Sequence, residues 1–108
     1  LQAAADAGIL GIGVDSNQNY MHPGSVLTSM VKRVDTGVYD SFKAGADLAG
    51  GFATLSLANG GISYAMDEHN VNLVTKAMVD AVEEAKAHII SGELKVHDYM
   101  SDNSCPAK

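Results

Sequence analysis

Asp15 stands directly after the apolar run Ile9-Leu10-Gly11-Ile12-Gly13-Val14. A carboxylate at the end of a buried strand has two oxygens with which to accept hydroxyl donors from a sugar or another polar ligand. The same residue can instead close an Asx-turn, its carboxylate bonded to amides of its own loop. Lys32 follows the next apolar run, Val26-Leu27-Thr28-Ser29-Met30-Val31. It can present an ammonium to the crevice that Asp15 faces, or to solvent as most lysines do. Side chains alternate along a strand, so Arg33 points away from Lys32 if the strand persists, and one of the two cations can face a ligand.

Other chemistries find less support. His22, His69, His88 and His97 are scattered, with no i, i+4 pair on one helix face. Asp67-Glu68-His69 is a local polar cluster, but a metal site needs three or four converging ligands, and the cluster reads as a solvated helix entry. No metal and no cofactor are expected. Cys105 is the single cysteine, which excludes an internal disulfide and argues against a thiolate metal site. It lies in a polar tail before Pro106 with no histidine placed to activate it. A G-x-S-x-G elbow is absent, and Gly11-Ile12-Gly13 lacks the third glycine of a dinucleotide-binding turn. No residue is assigned a catalytic role, and the five methionines read as core or surface rather than a ligand box.

The elements that must position Asp15 and Lys32 follow from pattern. Leu1 to Ala7 contains good helix formers and Gly8 ends them. Ile9–Val14 suits a strand buried on both faces, and the polar residues 15–19 with His22-Pro23-Gly24 make a loop. Val26–Val31 reads as a second strand. Val34, Val38, Phe42 and Ala46 recur every four residues on a helix ended by Gly50-Gly51, with Phe42 and Tyr39 expected to pack on the sheet. Short strands are expected at Phe52–Leu57 and Ile62–Met66, joined at Asn59-Gly60-Gly61 by a hairpin or a plain loop. The last helix carries Val71, Val74, Met78, Ala81, Ala85 and Ile89 on one face, with Asn70 as cap and Gly92 as stop. Leu94–Val96 is expected to be extended and the tail from Asp98 irregular. Helices alternating with strands make this an α/β chain with a mainly parallel sheet. The strands are too few for a self-sufficient doubly wound domain.

Seven Lys+Arg against thirteen Asp+Glu leave a net charge of -6, and aromatics are 6% of the chain. Without a basic cluster this disfavours nucleic acid as a partner, and a membrane-surface helix on the same grounds. At 46% hydrophobic and 19% charged, the chain is neither disordered nor a disulfide scaffold. No apolar run approaches the roughly 20 residues that a bilayer-crossing helix needs. The uncapped helix at Leu1, with no initiator Met, reads as the C-terminal part of a longer protein cut inside a helix.

Ile12-Gly13-Val14-Asp15-Ser16-Asn17-Gln18 and Val26-Leu27-Thr28-Ser29-Met30-Val31-Lys32-Arg33-Val34-Asp35 resemble the GVDSDQ … VLTS-x-x-K-R-V-D pattern of the basic membrane protein family. These are substrate-binding proteins and lipoproteins of ABC transporters, among them purine nucleoside receptors. Asn59-Gly60-Gly61-Ile62 is similar to that family's GGV segment, and Ile89-Ile90-Ser91-Gly92-Glu93-Leu94-Lys95-Val96 to its closing I-x-x-G-x-x-x-V. Asn17 departs from the pattern, standing where many relatives carry aspartate. The resemblance implies an α/β fold of the periplasmic-binding-protein type I class, two Rossmann-like lobes, of which this chain is the C-terminal third. Residues 1–32 would end the second lobe and supply the hinge crossover, and residues 33–108 would pack mainly on the first lobe. It further implies ribose hydroxyls held by Asp15 and a ligand-facing Lys32, with aromatic clamps for the base in an absent N-terminal segment. The implied partners are a small solute, a purine nucleoside above all, and an ABC permease; the implied location is periplasmic or a cell-surface lipoprotein. A ligand-sensing regulatory domain of the same fold and a nucleoside- or sugar-processing enzyme are the alternatives. The enzyme would need a base, a metal or a nucleophile that these residues do not supply.

Overall fold

The computed structural model describes residues 1–106. A short helix α1 (Gln2–Asp6) ends in a Schellman turn, with Gly8 N–H donating to Ala5 O at 3.1 Å and Ile9 N–H to Ala4 O at 3.0 Å. Ile9 is thereby still tied to the helix, so strand β1 (Gly11–Asp15) starts two residues later than the apolar run suggests. Strand β2 (Val26–Lys32) lies parallel to β1, and after helix α2 (Val34–Ala44) the chain returns as strand β3 (Ile62–Tyr64), antiparallel to β2. The sheet order is β1-β2-β3. Helix α3 (Lys76–Ser91) and the single turn α4 (Tyr99–Asp102) complete the chain.

The sequence expectations need correction at several places. Phe52–Leu57 is not a strand. The Asn59 side chain folds this stretch into a loop, its Oδ1 accepting from Ser56 N–H (2.7 Å) and Gly61 N–H (3.2 Å) while Nδ2 donates to Thr54 O. The last helix begins after Thr75, whose Oγ1 accepts from Met78 N–H, and not after Asn70. Asn70 is fully buried instead, its amide donating to Leu27 O and Ala65 O and its Oδ1 accepting from Asp67 N–H. Helix α2 stops at Ala44, well before the Gly50-Gly51 pair. Phe42 and Tyr39 do not lie on the sheet but are exposed, Phe42 at 83%. Asp98, expected in an irregular tail, caps α4 through Met100 N–H. The stop at Gly92 stands as read, in the left-handed conformation with φ 81.

Packing is uneven. Val26 and Ala65 are the buried apolar residues, whereas Asn19, Ser29 and Asn70 are buried completely. The middle of the sheet is therefore polar, and every buried side-chain donor and acceptor among the described residues has a partner. Ile12 and Val14, expected inside a strand covered on both faces, share one face of β1 that is left uncovered and are 60% and 51% exposed. The radius of gyration, 16.7 Å, exceeds the roughly 13 Å of a compact domain near this length. Residues such as Leu10, Val14 and Phe42 would each gain about 1.5–3 kcal/mol on full burial. These surfaces suit a neighbour. Residues 62–91, in the stretch expected to pack on a first lobe, adjoin β2: β3 is hydrogen-bonded to it, and α3 borders the sheet through Tyr64, whose hydroxyl donates to Glu83 Oε1 at 2.9 Å.

Close approach explains one glycine. A Cβ on Gly13 would collide with Ser29 Oγ and crowd the Gln18 side chain at 3.0 Å. Gly13→Ala is expected to cost about 1–3 kcal/mol, as overpacking of a tight interior does. It should lower the urea midpoint with little change in slope. Gly50→Ala, where a Cβ meets nothing within 4 Å, should leave the midpoint in place.

Candidate functional site

Parallel register sets the site. Asp15, the last residue of β1, is paired in register with Val31, so Lys32 is the next residue on the neighbouring strand. Lys32 Nζ lies 2.7 Å from Asp15 Oδ1, with the two side chains 60% and 63% exposed. Both sit at the C-terminal ends of parallel strands, where open α/β sheets take their ligands. Arg33 turns elsewhere, its guanidinium gripping the Asp35 carboxylate at 2.7–3.2 Å and holding that carboxyl down at about 2. Lys32 alone of the two cations faces Asp15.

An exposed ion pair of this kind contributes at most about 1 kcal/mol to stability. Each partner is consequently available to exchange the other for a ligand. The Asp15 backbone adds a second feature, φ 74, where non-glycine residues are uncommon. Ser16 N–H donates to Val14 O at 2.9 Å across it, closing a three-residue turn with the positive φ of the rare γ-turn class. Strain of this sort costs energy and persists only where the surroundings enforce it.

The surroundings are polar. Val14 N–H donates to Gln18 Oε1 (3.0 Å) and Gln18 N–H to Ser29 Oγ (3.0 Å). Ser29 Oγ donates to Asn19 Oδ1 (2.8 Å), and Asn19 Nδ2 to Asp67 Oδ2 (3.1 Å). Asn17 Nδ2 also donates to Asp67 Oδ2, at 2.7 Å, and Asn17 Oδ1 accepts Asn19 N–H. The sequence pattern predicts a polar loop over residues 15–19 and a helix entry at Asp67-Glu68-His69. The helix starts after Thr75 instead, and Asp67 joins the loop after β3 to the loop after β1. The contact spans fifty residues of sequence, and no local pattern announces it. The ligand atoms of Asp67, Glu68 and His69 do lie within 4.8 Å of one another, but both Asp67 oxygens already accept hydrogen bonds, Oδ1 from His69 N–H. Cys105 is exposed in the tail.

Two apolar hollows lie elsewhere, between the sheet and α3. One, of about 550 Å³, is bordered by Met30, Ile62, Tyr64 and Ile89. The other, of about 360 Å³, is bordered by Leu27, Met66, Val74 and Met78. Neither touches Asp15 or Lys32.

No family model and no curated protein matches the chain. Among solved structures it is similar to the ABC transporter system solute-binding proteins from Aeropyrum pernix K1, at 26% identity and a TM-score of 0.65 over 93% of this chain. The fold is that of part of a solute-binding protein. The chain spans 37% of the length of that protein.

The Asn17 amide holds the Asp67 carboxyl below its ordinary value of 3.8, aided by His69 N–H and the Asn19 amide and opposed by partial desolvation. A carboxyl lowered in the folded state stabilises the fold above its unfolded value, and that contribution is lost as pH falls through the lowered one. Urea midpoints are therefore expected to fall as pH drops from about 5 to about 2, with a shallower acid limb in Asp67→Asn.

Proposed function

We propose that this chain is the ligand-facing part of an ABC transporter solute-binding protein that captures a purine nucleoside. One observation carries the reading: Asp15 and Lys32, the two residues that the family resemblance assigns to the ligand, meet at 2.7 Å at the ends of adjacent parallel strands. The similarity to a solute-binding protein supports the same class. An ionised carboxylate accepts hydrogen bonds only, so Asp15 matches a pair of neighbouring ribose hydroxyls. Lys32 donates only, which suits acceptor oxygens on the same solute and offsets the carboxylate charge.

In this proposal the chain crosses between lobes after Lys32. Residues 1–32 belong to the second lobe; β3 and α3 adjoin the same sheet through β2, and the rest of residues 33–108 lies mainly against a first lobe. An N-terminal segment completes both lobes, brings the aromatic clamps, and covers the exposed apolar residues of β1 and α2. Closure of the lobes removes water from the solute, and hydrogen bonds to Asp15 and Lys32 strengthen in the lower dielectric. The solute shifts the population to the closed form by its differential affinity, and an ABC permease reads that form. The working place is outside the cytoplasm, on a lipid-anchored or periplasmic protein.

Asp15→Ala tests the reading. Loss of one partner of a desolvated charged hydrogen bond costs about 2 kcal/mol or more, so the affinity for inosine should fall by at least about 30-fold in calorimetry. Circular dichroism should be unchanged, because an exposed ion pair does not hold the fold. Undiminished inosine binding would reject the assignment. Release of free base on incubation with nucleosides would point to an enzyme instead.

A further inference from the structure

We propose that Asp67 is a positioning residue, which through Asn19, Ser29 and Gln18 holds the left-handed backbone of Asp15 that aims its carboxylate at Lys32. The proposal rests on the receptor reading only for its consequence in binding. Its structural content is independent of any ligand.

The argument is one of donors and acceptors. A carboxylate cannot donate, so Asn19 must turn its NH₂ to Asp67 Oδ2. Asn19 Oδ1 is then the end that faces Ser29, and the single Ser29 hydroxyl proton goes to it. The lone pairs of Ser29 Oγ are left to accept Gln18 N–H, which sets Gln18 where its Oε1 takes Val14 N–H. Val14 O in turn accepts Ser16 N–H, closing the turn over Asp15. Each step is fixed by the one before it. Asn17 strengthens the start of the chain, donating to the same Asp67 oxygen and accepting Asn19 N–H. Asn19 and Ser29 are fully buried, so water does not substitute for a missing partner in this chain.

Without the Asp67 carboxylate nothing decides which end of the Asn19 amide meets Ser29. A flipped amide would offer Ser29 a second donor in place of an acceptor, leaving the buried hydroxyl proton without its partner; Ser29 Oγ would turn to find one, and its hold on Gln18 N–H would loosen. The β2–β3 ladder and the Asn70 bonds to Leu27 O and Ala65 O do not pass through the carboxylate, so the sheet remains.

The test reads Asp15 directly. In NMR spectra of the ligand-free protein, the HN–Hα coupling and the Cα and Cβ shifts of Asp15 report its φ. Asp67→Ala should move them out of the positive-φ range while the resonances of β2 and β3 stay in place. Asp67→Asn, able to keep an oxygen against Asn17 and Asn19, should restore them. Inosine affinity should drop by about tenfold or more in Asp67→Ala and recover in Asp67→Asn. If Asp67→Ala does not fold, Asn17→Ala at the exposed end of the chain carries the same measurement, with a smaller displacement of the Asp15 signals. Unchanged Asp15 couplings and shifts in the folded variants would overturn the proposal. Unchanged inosine affinity in Asp15→Ala, with the Asp15 signals still responding to residue 67, would overturn the receptor reading alone.

Discussion

The bridge from Ser29 through Asn19 to Asp67 is the constraint on which the candidate site depends. It ties the middle of β2 to the loops that follow β1 and β3, and it does so with amides, a hydroxyl and a carboxylate rather than with methyl groups. A buried polar network has to be complete, because a single orphaned donor costs as much as several good contacts return. Here it is complete. That completeness is also what requires Gly13, since any side chain there would displace the Ser29 hydroxyl from its partners.

A polar centre has a cost in cohesion. With Val26 and Ala65 as the buried apolar residues, the body lacks the dense interior that normally stabilises an α/β layer. The apolar residues exist but sit on β1, on α2 and along the hollows beside α3, where they await cover. The arrangement resembles a wall rather than a closed room. It joins short-range precision at the strand ends with incomplete burial around them.

Much of this was legible in sequence, for identifiable reasons. The runs that became β1 and β2, and the polar residue closing each, are local signals of strand ends, so the placing of Asp15 and Lys32 at the ends of two strands was legible without coordinates. Gly92 stops α3 because a left-handed residue there suits glycine. The misses are equally physical. Asn70 has the sequence signature of a helix cap but was recruited by carbonyls of Leu27 and Ala65, and Thr75 took the cap instead. Phe52–Leu57 has strand composition, yet Asn59 bonds three backbone groups of its own loop and keeps it off the sheet. The Asp67 bridge joins residues fifty apart, beyond the range of any periodicity.

The contact between Lys32 and Asp15 has an electrical side as well. The chain as a whole is acidic, with a formal charge of -6. Two opposite unit charges in contact nevertheless present only a dipole to an approaching molecule, whose field decays faster than that of either charge alone. Small inorganic ions thus meet no net monopole from this pair of side chains.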